Sequence, residues 1–78
     1  MKLKQQFAVV LKKHRKARGF TQDAFAFIHG LDRSYYSRVE RGDANLTFDM
    51  AERITDALGI PILKLFAEIK TPTKRKRK

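Results

Sequence analysis

Four residues behind an aspartate carry the most specific chemistry in this 78-residue chain. With Asp32 placed to cap a helix, Arg33, Ser34 and then Ser37 or Arg38 fall on one exposed face at one-turn spacing. The result is a row of hydrogen-bond donors near a helix N-terminus. A guanidinium in such a row can give two parallel N–H donors to O6 and N7 of a guanine, and a serine hydroxyl reads bases less decisively. Tyr35 stands beside them, with a thymine methyl or the sugar-phosphate backbone as its natural contact. Gln22 opens the preceding helix, where free backbone N–H groups and the helix dipole favour a phosphate oxygen. Arg41, Asn45 and Thr47 flank the following loop as candidate clamps on the same strand. The plain alternative for Arg33 and Arg38 is contact with phosphate or solvent alone.

Catalytic chemistry has no such row. The chain has no cysteine, which removes disulfides, thiolate catalysis and the usual structural zinc sites, and fits a reducing, intracellular compartment. No acid, base and nucleophile converge in the pattern, so an enzyme is not expected, nor is a cofactor. His14 and His29 are each solitary, without a second ligand at metal-binding spacing; His14 falls where core packing is expected.

The elements that must position these donors follow from glycine punctuation and apolar spacing. Gly19, Gly30, Gly42 and Gly59 each follow a stretch with helical periodicity. In the first helix Leu3, Phe7, Val10, Leu11 and His14 recur at three- and four-residue steps, while Lys4, Lys12, Lys13 and Lys16 fall mostly on other faces. Thr21 caps a second helix running to about His29, Asp32 a third through about Arg41, and Thr47 a fourth through Leu58. Pro61 suits the first turn of a fifth ending near Ile69. No segment alternates like a strand for long, so the ordered part is expected to be all-α. Phe20, Phe25, Phe48, Ile54, Leu58 and Phe66 are its candidate core. Between the second and third helices, small Ala26 allows close approach, Gly30 permits a sharp turn and Leu31 plugs the corner. The two helices should therefore meet at the steep angle of a helix-turn-helix over about residues 21–41.

Charge divides the chain into three. Lysine and arginine total 18 against 8 acidic residues, a formal +10. Residues 1–18 hold seven basic and no acidic groups, whereas residues 19–69 hold five basic groups and all eight acids. The remaining six basic residues are Lys70, Lys74, Arg75, Lys76, Arg77 and Lys78. A polyanionic partner is indicated, nucleic acid before an anionic membrane surface. One domain over residues 1–69 and a disordered basic tail over residues 70–78 are expected, the tail adding phosphate contacts through Lys74 to Lys78. Apolar runs are short and the N-terminus lacks the uninterrupted apolar core of a signal peptide, so neither membrane insertion nor secretion is expected.

The segments RKARGFTQ, the turn, SRVERG and ITDALGI together resemble the Cro and phage-repressor (XRE-type) family of helix-turn-helix regulators. Within it, LDRSYYSRVERGDANLT looks similar to controller proteins of restriction-modification systems. The resemblance implies a compact five-helix, lambda-repressor-like domain, cytoplasmic and nucleoid-associated in a bacterial or phage-encoded setting. It implies a homodimer that binds an inverted-repeat operator in double-stranded DNA and regulates transcription, with RNA polymerase as a further contact. The competing function is an antitoxin that represses its own operon and contacts a toxin.

By the same resemblance, Tyr36 takes an inward position and Arg15 and Glu40 form a structural ion pair between the first and third helices. Ala44 departs from the controller pattern, which can carry a DNA-reaching arginine there. Phe27, Ile28 and Leu63 are apolar where the family is usually polar. Leu63, with Ile60, Pro61 and Ile62 near the junction of the fourth and fifth helices, is the expected dimer interface.

Overall fold

The structure is a computed structural model that describes residues 2–69. The expected tail, including Lys74, Arg75, Lys76, Arg77 and Lys78, lies outside the described residues. Five helices run in order: α1 (Leu3–Ala17), α2 (Gln22–Ile28), α3 (Arg33–Arg41), α4 (Phe48–Leu58) and α5 (Ile62–Ala67). The described chain is all-helical.

Side-chain caps start the three central helices. Thr21 Oγ1 accepts from the Ala24 N–H at 3.1 Å, Asp32 Oδ2 from Tyr35 at 2.8 Å and Thr47 Oγ1 from Met50 at 3.0 Å. Each satisfies a first-turn donor that the helix itself cannot. Pro61 stands one position earlier than expected, as the N-cap of α5, and that helix ends at Ala67 rather than near Ile69.

α1 packs against α3, α4 and α5, and α2 against α3. Phe7, Val10 and Leu11 from α1 meet Phe25 and Ala26 of α2, Tyr36 and Val39 of α3, Ile54 and Leu58 of α4, and Leu65 of α5. The Phe25 ring lies 5.2 Å from Tyr36 and 5.7 Å, edge-on, from Phe20. At the α2–α3 corner Gly30 has φ +66°, Leu31 N–H donates to Ala26 C=O at 2.8 Å, and the Leu31 side chain packs on the core. Arg53 of α4 pins this corner from outside, its Nη2 donating to the carbonyls of His29 and Gly30 at 3.2 and 3.1 Å. Those are carbonyls at the end of α2, left without helical partners.

Three side chains of the apolar helical pattern and candidate core, Phe48, Leu3 and His14, are not packed in the core. Phe48 is 82% exposed: it is the first residue of α4, whose buried positions are Ala51, Ile54, Thr55 and Leu58, and no described element covers it. Leu3 is likewise exposed at the start of α1. His14 is a polar bridge rather than a packed core residue. Its Nε2 lies 2.9 Å from Glu68 Oε1 and its Nδ1 3.2 Å from Arg18 Nη1. Because arginine can only donate, Nδ1 accepts and Nε2–H donates to Glu68, joining α1 to the end of α5. With Lys13 at 3.2 Å from the same oxygen, these contacts hold the Glu68 carboxyl below its ordinary range, the His14 hydrogen bond foremost.

Candidate nucleic-acid interface

α3 has two chemically separate sides. Inward, Tyr36 and Val39 are buried in the core and Glu40 is buried beneath α1. Arg15 reaches Glu40 from α1 through two hydrogen bonds, Nε to Oε2 at 2.6 Å and Nη2 to Oε1 at 2.9 Å, and its Nη1 donates to the Phe20 carbonyl at 2.6 Å. Tyr36 Oη donates to Glu40 Oε2, and Gln22 Nε2 donates to Glu40 Oε1 at 3.0 Å. One carboxylate thus accepts four hydrogen bonds from three helices.

Burial alone would raise the Glu40 carboxyl, but the donors from Arg15, Tyr36 and Gln22 outweigh it and hold it below the ordinary range. The Arg15 guanidinium is raised by its hydrogen bond to Glu40. Burial, reinforced by Glu40, pushes the Tyr36 phenol far above its usual range, so it stays a neutral donor.

Outward, Arg33, Ser34 and Arg38 are exposed, while Ser37 and Tyr35 are half-buried, Tyr35 packing against the core. Gln22, Asp23, Arg33, Ser34, Ser37, Arg38 and Arg41 line a shallow groove of about 290 Å³ between the start of α2 and this face. The structure therefore brings four expected base readers and two expected phosphate clamps to one surface. Tyr35 is not among the lining residues.

The loop after α3 begins at Gly42, where φ is +76° and an added Cβ would stand 2.8 Å from Gln5 Cγ and 3.0 Å from Gln5 Cα. Only glycine supplies both that conformation and that approach of α3's end to α1. Arg41 is exposed and steered by Asp43 and Ser37, each 3.2 Å away. Asn45 and Thr47 are exposed beyond it, Thr47 also serving as the α4 cap. Ala44, just before Asn45, is buried, its methyl filling the core. This loop position therefore offers a core contact in place of a reaching side chain.

Gln22 shares one amide hydrogen with Glu40 and keeps a second N–H for another acceptor. Two residues escaped the sequence reading. Asp23 accepts a hydrogen bond from Arg33 Nε, and Arg53 holds the corner of the motif. Neither pairing has a local sequence signature, since the partners lie 10 and 23 residues apart.

Elsewhere on the surface, the expected interface residues split. Ile60 is buried in the core of the single chain and Ile62 packs partly against it, whereas Pro61 is exposed and Leu63 is 77% exposed. Ile60 is therefore not on the surface a partner would meet. Its place after the α4 terminus, with its N–H on the Thr55 carbonyl at 3.0 Å, commits its side chain to its own core. Phe27 and Ile28 are exposed on α2.

This geometry has counterparts among known proteins. A family model described as Helix-turn-helix, HTH_3, matches residues 11–65. The control protein C.MunI of a Mycoplasma species is 40% identical over 68 residues, spanning 86% of this chain and 92% of that protein. The restriction-modification controller protein C.AhdI of Aeromonas hydrophila is 37% identical, with a TM-score of 0.73 over 80% of this chain and 94% of the other. The wild-type restriction-modification controller C.Esp1396I superposes with a TM-score of 0.78 at 33% identity, covering 88% of this chain and 90% of that one.

Proposed function

Because the chain belongs to the helix-turn-helix family HTH_3, we propose that it is a sequence-specific regulator of transcription that binds double-stranded DNA through α3. The observation that carries the reading is the split character of that helix. Its inward side is fixed by the Arg15–Glu40–Tyr36 network, and its outward side offers Arg33, Ser34, Ser37 and Arg38 on one groove. A rigid scaffold presenting unsatisfied donors from a helix N-terminal end is what reading a major groove requires. Arg33 and Arg38 are the base readers, with Ser34 and Ser37 beside them. Tyr35 serves through its exposed edge, and Gln22, Arg41, Asn45 and Thr47 anchor phosphates.

The chain acts as a homodimer on an inverted repeat, with Leu63 and Pro61 at the centre of the contact. A two-fold axis there would set two α3 helices about 34–36 Å apart, one turn of DNA. The similarity to C.MunI, C.AhdI and C.Esp1396I supports the narrower role of controller in a restriction-modification system, acting in the bacterial cytoplasm. Neither a catalytic activity nor a cofactor forms part of this reading.

Selection of bound fragments from a random duplex library at fixed salt tests it. An enriched inverted repeat, with one base-pair preference lost in Arg33→Ala, is the expected result. Failure to enrich any inverted repeat would remove the dimeric operator reading. Uniform weakening of all sequences by Arg33→Ala would make Arg33 a phosphate clamp.

A further inference from the structure

Asp23 and Arg33, both lining the groove, form an ion pair. Asp23 lies in the first turn of α2, Arg33 is the first residue of α3, and their side chains are 64% and 74% exposed. So open a pair contributes little to stability. Its consequence lies in where it leaves the guanidinium. Asp23 Oδ1 engages Arg33 through Nε alone. Among the described residues, neither Nη1 nor Nη2 of Arg33 has a hydrogen-bond partner.

We propose that Asp23 is a positioning residue for sequence choice: it grips Arg33 by Nε and so presents the free Nη1/Nη2 edge to O6 and N7 of a guanine. The inference rests on the DNA-binding reading and assigns within it a residue that makes no base contact of its own. Two effects follow from the placement. A loose arginine must give up rotamer freedom when it docks on a base, whereas a held one has given it up already. That difference amounts to about two- to ten-fold in binding per side chain.

A loose arginine beside DNA can also satisfy itself on a phosphate, a contact without sequence information; the carboxylate competes for it and repels phosphates of every sequence alike. Both effects widen the gap between the right base and a wrong one. Arg38 lines the same groove and has no ion-pair partner among the described residues, which makes it an internal control.

The probe is the duplex that the wild-type chain enriches from a random library, together with the same duplex altered at one base pair per half-site. The altered pair is the guanine whose loss weakens wild type but not Arg33→Ala. Asp23→Ala should lower the ratio of the two affinities about two- to ten-fold while raising affinity for random-sequence duplex. Asp23→Asn, which keeps an acceptor oxygen, should retain an intermediate ratio, and preferences that depend on Arg38 should not change. In the free protein, the Arg33 Nε–H should exchange with solvent more slowly in wild type than in Asp23→Ala. An unchanged ratio, or equal exchange in the two proteins, overturns the inference while leaving the regulator reading intact. An enriched site with no Arg33-dependent guanine does the same. A wild-type chain that enriches no sequence removes the regulator reading and this inference with it.

Discussion

Arginines that look equivalent in composition do different work once placed. Arg15 is buried with Nε and Nη2 on Glu40 and Nη1 on the Phe20 carbonyl, Arg53 clamps two carbonyls, Arg41 leans on Asp43, and Arg33 and Arg38 face the groove. Their substitutions should separate accordingly. Arg33→Ala should lose about 1–3 kcal/mol of discrimination at one base pair. Arg41→Ala should instead weaken all duplexes evenly and lower the slope of log K against log salt by about one, as measured by titrations at several salt concentrations. Glu40→Gln leaves Arg15 buried without its counter-charge and should destabilise the fold by about 3 kcal/mol in a urea melt. Glu40 also sets a pH dependence. Its folded carboxyl lies below the unfolded value of 4.5, so its contribution is complete above that pH and is lost as pH falls through the folded value. The acid limb of stability against pH should flatten in Glu40→Gln. The donors on α3 were legible because a cap and a helical period fix a face. Asp23 was not, because a ten-residue separation across a turn becomes a contact only when two helices cross. His14 sat on an apolar period and still turned to Glu68, whose approach 54 residues later leaves no mark on local spacing.

The helices themselves were the most readable level. Thr21, Asp32 and Thr47 announce their caps by residue type alone, and the four glycines all adopt positive φ at helix ends. Phe48 marks the limit of this reading. An aromatic residue at the head of an amphipathic helix reads as core, but burial needs a neighbour over that first turn, which periodicity does not report. Here Phe48, Leu3, Phe7 and Phe66 instead edge a shallow apolar groove. Two substitutions test the element terms. Thr47→Ala should lower stability by about 1 kcal/mol through loss of the α4 cap. Gly42→Ala should cost more, about 1–3 kcal/mol, since it adds a strained backbone to a 3.0 Å encounter with the Gln5 backbone. Thermal melts of both against wild type give the comparison, and a smaller effect at Gly42 would mean that the end of α3 can move away from α1.

At the scale of the molecule, the charge excess and the proposed base-reading face sit in different parts of the sequence. The basic excess lies at the two ends of the sequence, and the middle that holds α2 and α3 is slightly acidic. Deleting residues 73–78 should therefore weaken specific and nonspecific DNA binding alike and flatten the salt dependence, because fewer counterions are released. Leu63→Glu should shift sedimentation toward monomer and weaken an inverted repeat far more than a single half-site. An unaltered sedimentation profile would move the dimer contact elsewhere on the surface. The two-sided character of α3 carries a last consequence, for how such a protein changes over generations. Among the described residues, the side chains facing the groove share no hydrogen bond with the Glu40 network except through Gln22. Mutations at Arg33, Ser34 or Arg38 therefore leave untouched the network that keeps the helix in place. If α3 reads DNA as proposed, new operators would be open to this scaffold one substitution at a time, with the fold kept at every step.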